Sequence, residues 1–143
     1  MKEYKILIGN KETTFRLDNF AEQANGSFFV CSDDTVVLSI VTMSKNKREE
    51  IDFFPLIVDY EEKFYAAGKI GGSKYTRREA KPTNSAITNS RLIDRAIRPV
   101  FPNGLEGVDV QVVSSCLSWD KESDTAIMAL LATSISLMIS DIP

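Results

Sequence analysis

Residues 89–102, NSRLIDRAIRPVFP, place Arg91, Arg95 and Arg98 within eight positions and set aliphatic residues between them. A guanidinium donates two parallel hydrogen bonds to a phosphate or carboxylate, so arginines held on one rigid element suit anion recognition. At 100° per residue the three fall within about 60° of helical arc, with Leu92, Ile93, Ala96 and Ile97 on the opposite side. The aliphatic side is expected to seat the helix on a core, and the arginine side to face outward as a comb. Neighbouring like charges repel, and either a bound anion or carboxylates of the same protein would compensate them. Asp94 can partly neutralise one. Just upstream, Ser73-Lys74-Tyr75-Thr76-Arg77-Arg78 joins an aromatic ring to cations in a glycine-flanked loop. Bases stack on such rings for ~1–3 kcal/mol each while cations follow the phosphates, as in proteins that hold single-stranded nucleic acid.

Other chemistries are poorly supplied. The chain contains no histidine, which removes the commonest general base and every Ser-His-Asp or Cys-His arrangement. Cys31 and Cys116 stand apart rather than in CxxC pairs, a pattern of buried free thiols and not of a zinc site. The pair Asp33-Asp34 could serve acid–base or metal chemistry, but between two strands aspartates are turn formers.

Charge is unevenly placed. The chain has 17 basic and 20 acidic residues, a net of −3. Residues 69–98 hold eight of the basic side chains and only two acidic ones, leaving nine basic and eighteen acidic elsewhere. A basic segment on an acidic body reads either as a solvated face or as a local anion site that steers a polyanion to itself.

The elements that must position these residues follow from pattern. Lys2–Ile8 and Thr13–Leu17 read as strands around the turn Gly9-Asn10-Lys11-Glu12. Phe28–Cys31 and Thr35–Val41 flank Ser32-Asp33-Asp34, the second run apolar enough for a central strand. Lys45–Glu50 is a polar loop, and Phe53–Tyr60 is a strand with Pro55 at its start or on an edge. Residues 61–82 form a glycine-punctuated basic loop. A helix follows, capped by Thr83, Asn84 or Ser85 and stopped by Pro99. Val108–Leu117 reads as a strand covered on both faces. Thr125–Ser140, capped by Ser123 or Asp124, reads as a helix apolar almost all round and therefore buried. The order is α+β. At 143 residues the chain is one domain's worth. Its end, directly after the most apolar helix, fits the leading part of a longer protein or an obligate partner surface. With no apolar run of ~18–20 residues and no signal-peptide core, a cytoplasmic protein with no membrane role is expected.

Four stretches carry a resemblance: DFFPLIVDYEEKFYAAGKIGG (52–72), TRREAKP (76–82), SRLIDRAIRPVFPNG (90–104) and VQVVSSCLSWD (110–120). They resemble the polynucleotide phosphorylases, specifically the first of that family's two RNase PH-like domains, and the likeness extends more weakly over nearly the whole chain. The resemblance implies an RNase PH-like fold (ribosomal protein S5 domain 2-like, α+β, a mixed sheet packed on helices), with residues 1–143 forming the N-terminal part of that first domain. It implies 3′-to-5′ phosphorolysis of single-stranded RNA such as mRNA. Inorganic phosphate is the co-substrate, nucleoside diphosphates are the products, and Mg2+ is held by ligands outside this stretch. It further implies a homotrimeric ring and partners in RNA degradation. Tyr75, Thr76, Arg77 and Arg78 match the family's RNA-contacting loop, and Arg91, Arg95 and Arg98 match the arginines of its helix beside the RNA path. No catalytic residue is expected here, since phosphate, metal and catalysis belong to the family's second domain.

Departures from the family pattern are local. Thr76 replaces a second loop aromatic, Lys74 looks inserted, Ala80-Lys81-Pro82 stands for Gly-Arg-Pro, and Ala96 replaces a proline, which should make the helix more regular. Two other readings remain open: a non-catalytic RNA-binding or scaffold subunit of an exosome-like ring, and a small-anion domain for a phosphorylated metabolite.

Overall fold

Alternation of apolar and polar residues, broken by two-residue turns, builds the first half of the chain as antiparallel strands. The computed structural model describes residues 2–17, 20–79 and 81–143; Met1, Asp18, Asn19, Ala80 and the side chain of Thr76 lie outside the described residues. In chain order the elements are β1 (Lys2–Ile8), β2 (Lys11–Leu17), β3 (Gly26–Ser32), β4 (Thr35–Met43), β5 (Leu56–Glu62), α1 (Asn84–Ile97), β6 (Val110–Ser118) and α2 (Thr125–Ile139). The strands form one mixed sheet in the order β1-β2-β3-β4-β6-β5, antiparallel except for β5 against β6. As expected, β4 lies inside the sheet.

The turns are tighter than the sequence suggested. Gly9-Asn10 alone joins β1 to β2, with Gly9 at φ +62°, a conformation glycine adopts without steric penalty. Asp33 and Asp34 join β3 to β4, Asp33 at φ +48°, so the aspartate pair forms a turn. β5 begins at Leu56 and not at Phe53, because Pro55 has no N–H for the ladder. Pro55 instead accepts from Val110 N at 3.0 Å, and Phe54 turns its ring onto Phe101, 4.9 Å between centroids.

Both helices pack on one face of the sheet, α1 over β5 and α2 over β3, β4 and β6. Between the layers lie Phe28, Val30, Val37, Val41, Val110 and Val112, with Ile93, Ala129 and Ala132 from the helices. Each large aliphatic side chain buried this way contributes roughly 1.5–3 kcal/mol. Two expectations are corrected. β6 is covered on one face only: Val110, Val112, Ser114 and Cys116 are buried, whereas Gln111 is exposed and Val113, Ser115 and Leu117 are half-buried. An apolar run marks a tolerant strand and does not count the layers above it.

Nor is α2 buried all round. It buries a side rich in small residues, including Ala126, Ala129, Ala132, Thr133 and Ser136, and leaves Ile127 and Met138 outside. Small residues let the helix sit close to the sheet. A Cβ added at Gly26 of β3 would come within 2.5 Å of the Ser136 carbonyl oxygen. The polar atoms in this tight contact pair with one another. Ser114 Oγ lies 3.1 Å from Ser39 Oγ and 2.9 Å from Thr133 Oγ1, Ser39 Oγ lies 3.1 Å from Thr133 Oγ1, and Ser136 Oγ donates to the Ser39 carbonyl at 3.1 Å. Burying these hydroxyls without partners would carry a penalty of about 1–3 kcal/mol apiece. Among the described residues no helix is long and apolar enough to cross a membrane.

Candidate nucleic-acid interface

α1 starts where Thr83, in extended geometry, turns its hydroxyl to accept from Ala86 N at 3.0 Å. Its first turn carries no acidic residue. The helix runs unbroken through Ala96 to Ile97, as expected without the family's proline. It buries Ala86, Ile93 and Ile97, a narrow arc suited to one strand beneath it. Leu92 remains 47% exposed and Ala96 is exposed, so the seating face is narrower than the expected aliphatic side.

Ile87, Arg91 and Arg95 follow one another at four-residue spacing and form a single ridge. Arg91 and Arg95 are exposed, and neither takes part in an ion pair among the described residues. Arg98 departs from the comb. It lies just past α1, where its Nη2 sits 2.7 Å from Asp94 Oδ1 and donates to the Leu56 carbonyl at 3.2 Å. Its Nη1 donates to the Phe54 carbonyl at 3.5 Å. The residue before Pro99 is turned back toward β5, and its charge ties α1 to the start of that strand. The outward comb is therefore a pair.

The loop between β5 and α1 folds into two short 3-10 turns, Phe64–Ala67 and Thr76–Arg78. Arg77 anchors the second, its backbone N–H donating to the Ser73 carbonyl at 3.0 Å and its Nε to the Gly71 carbonyl at 3.1 Å. Tyr75 is 81% exposed, and Arg78 is exposed beside it. Both line an open cavity of about 900 Å³ whose other walls include Lys81, Asp59, Ile87 and Ser90. Ile87 is the first member of the ridge that carries Arg91 and Arg95. The structure thus places Tyr75, Arg78 and Lys81 on one cavity beside Ile87, leaves Arg91 and Arg95 exposed on the ridge that begins at Ile87, gives Arg77 a part in holding the loop, and ties Arg98 to Asp94 and to the start of β5.

A second cavity, about 510 Å³, lies where the N-termini of α1 and α2 approach each other, with Ser85, Asn89, Asp124 and Thr125 on its walls. There the chain's own carboxylates take the backbone donors. Asp124 Oδ1 accepts from Ala126 N at 2.9 Å and Ile127 N at 3.3 Å. Asp120 Oδ1 accepts from Ser123 N at 2.7 Å and Glu122 N at 2.8 Å. Asp120 Oδ2 takes the Ser123 hydroxyl at 2.7 Å and lies 3.3 Å from Lys11 Nζ. Burial pushes the Asp120 carboxyl up, but the hydrogen bonds from Ser123 and Glu122 outweigh it and hold the group well below the usual carboxylate range. Cys116, on the same cavity's wall, is a buried free thiol that burial pushes up to about 11, so it is not an activated nucleophile. Cys31 is likewise free and buried.

With this geometry in place, a family model described as the 3′ exoribonuclease family, domain 1 (RNase PH), matches residues 10–143. The chain belongs to the RNase PH family. Its similar relatives are named polyribonucleotide nucleotidyltransferase. That of Roseiflexus sp. (strain RS-1) is 48% identical over 136 residues, 95% of this chain and 18% of the relative. That of Clostridioides difficile (strain 630) is 46% identical over 142 residues, 99% of this chain and 20% of the relative. The chain therefore spans about a fifth of the length of these relatives. In structure it is similar to a chain of an Archaeoglobus fulgidus exosome solved with RNA bound to the active site, at TM-score 0.69 and 23% identity, covering 92% of this chain and 52% of that one. It is also similar to rice Rrp46, at TM-score 0.65 and 17% identity, covering 90% and 56%. These likenesses establish an RNase PH-like fold, in agreement with the α+β expectation.

Within this RNase PH sheet, no group of three or more His, Cys, Asp or Glu that could hold a metal is found among the described residues. Sequence reasoning passed over two residues of the candidate interface. In sequence Lys81 reads as charge and as the counterpart of a family arginine, and Glu79 only as an acidic residue in a basic run. Lys81 lines the Tyr75–Arg78 cavity, and Glu79 accepts a backbone hydrogen bond from Phe64 across the loop.

Proposed function

We propose that this chain is the RNA-facing, N-terminal part of the first of two RNase PH-like domains in a polyribonucleotide nucleotidyltransferase. Such an enzyme degrades single-stranded RNA, mRNA included, from 3′ to 5′. The carrying observation is the ridge of Arg91 and Arg95, unpaired with any described carboxylate, running on from the cavity that holds Tyr75 and Arg78. The names of the relatives point the same way.

In this reading Tyr75 offers a face for a base, and Arg78, Arg91 and Arg95 pair with successive phosphates. Arg77 and Thr76 shape the loop, and Arg98 keeps α1 seated so that the ridge holds its direction. Rigid guanidiniums fix the strand without reading sequence, as a processive exonuclease requires. The reaction is attack of inorganic phosphate on the terminal phosphodiester, with release of a nucleoside diphosphate. Its phosphate site, Mg2+ and catalytic groups belong to the second domain, and in the whole protein three copies close a cytoplasmic ring around the RNA. The exosome-type scaffold reading shares this surface and differs in lacking any phosphorolytic partner domain.

RNA affinity of Arg91→Ala and Arg95→Ala, read by fluorescence anisotropy with a single-stranded oligoribonucleotide, tests the assignment. Each is expected to weaken binding several-fold with an unchanged melting temperature. A large fall in melting temperature with intact RNA binding would show that the arginines serve folding. The 143-residue chain is expected to release no nucleoside diphosphate from RNA and phosphate.

A further inference from the structure

Glu79 is one of three non-glycine residues with positive φ among the described residues, at +45°. An L-residue is held there only when its surroundings over-determine it, and such positions gather at functional loops. It directly follows the Thr76–Arg78 turn, and its Oε1 accepts from Phe64 N at 2.7 Å, fifteen residues back in the chain. That N–H opens the Phe64–Ala67 turn, whose own N-cap residue, Lys63, supplies no side-chain cap. Glu79 Oε2 also lies 4.0 Å from Lys63 Nζ, which pairs with Glu61 at the end of β5 at 2.8 Å. Its side chain is only 20% exposed, in a segment whose neighbours Tyr75, Arg77 and Arg78 are exposed. The loop is therefore fastened twice, by Arg77 on Gly71 and by Glu79 on Phe64.

We propose that Glu79 is a positioning residue: by holding the Thr76–Arg78 turn against the Phe64–Ala67 turn, its carboxylate presents the Tyr75 ring and Arg78 to RNA. Tyr75 is too exposed to be fixed by packing, so its direction comes from the backbone beneath it. A ring free to wander would give up in ordering much of what stacking returns. The proposal rests on the RNA reading of this loop and names the residue that makes the loop competent.

The sign of the effect separates positioning from electrostatics. Glu79 is negative, so its removal beside a polyanion would by charge alone strengthen binding. Positioning predicts the opposite. In RNA-binding titrations at one salt concentration, Glu79→Ala is expected to weaken affinity roughly threefold to tenfold. Glu79→Gln, which keeps an oxygen for Phe64 N and loses only the charge, should bind at least as tightly as the native protein. Tyr75→Ala should weaken binding roughly tenfold, and Glu79→Ala added to it should cost less than it does alone, because only the share carried by Arg78 remains. Glu79→Gly suits a φ of +45° and keeps the fold if the alanine variant does not, with the same loss of affinity expected. Unchanged or tighter binding by Glu79→Ala and Glu79→Gly, a Gln variant as weak as Ala, or full additivity with Tyr75→Ala would each overturn the proposal. If Tyr75→Ala itself leaves affinity unchanged, the RNA reading of the loop fails and the role of Glu79 falls with it.

Discussion

At the start of α2, Asp124 and Asp120 accept four backbone N–H groups between them, and Lys11 reaches across from β2 to within 3.4 Å of both Asp120 and Asp33. At the start of α1 a neutral hydroxyl is the cap, the first turn has no carboxylate, and the exposed arginines one and two turns beyond Ile87 have no ion-pair partner among the described residues. The two helices share a fold, a face of the sheet and neighbouring N-termini, yet one closes its charges inside the chain and the other leaves them open. Closed networks contribute to stability, and open ones are available to a ligand. Composition cannot separate these uses; geometry does.

The largest expected effect comes from breaking the closed network. Asp120→Ala strands the donors of Glu122 and Ser123 and should lower stability by about 2 kcal/mol, a drop of roughly 5–8 °C in thermal unfolding, with RNA affinity unimpaired. The pH dependence has a defined sign. Because the Asp120 carboxyl is held below its ordinary value, its contribution is fully present above the unfolded value of ~3.9 and is lost as pH falls through the folded one. The melting temperature should therefore fall on acidification below about pH 4, and fall less steeply in Asp120→Asn.

A smaller effect should come from Arg98, the arginine that crosses between the two categories. Arg98→Ala removes hydrogen bonds to the Phe54 and Leu56 carbonyls and the pair with Asp94. We expect about 1 kcal/mol of stability to be lost, seen in chemical denaturation, with less effect on RNA binding than Arg91→Ala. A purely binding phenotype would return Arg98 to the comb.

Much of this was legible in the sequence, and the misses have physical causes. The hairpins, the cap at Thr83 and the stop at Pro99 follow from local chemistry, and so does the ridge, since helical geometry alone aligns Arg91 and Arg95. The Asp94–Arg98 pair was foreseeable from its i,i+4 spacing, but the Phe54 and Leu56 carbonyls that turn Arg98 inward are more than forty residues away. The apolar pattern of α2 overstates its burial because hydropathy does not distinguish small from large apolar residues, and the close approach at Gly26 selects the small ones. Glu79 was invisible because its partner is a backbone N–H, which every residue but proline carries.

The most direct test is the salt dependence of single-stranded RNA binding by the native protein and by the Arg91→Ala/Arg95→Ala double variant. If the open charges are an RNA track contacting ~4–5 phosphates, affinity should fall with a log–log slope of about −3, and the double variant, losing two contacts, should show a slope flatter by about 1.4. A salt-insensitive affinity, or the same slope in both proteins, would contradict the assignment of this ridge to RNA.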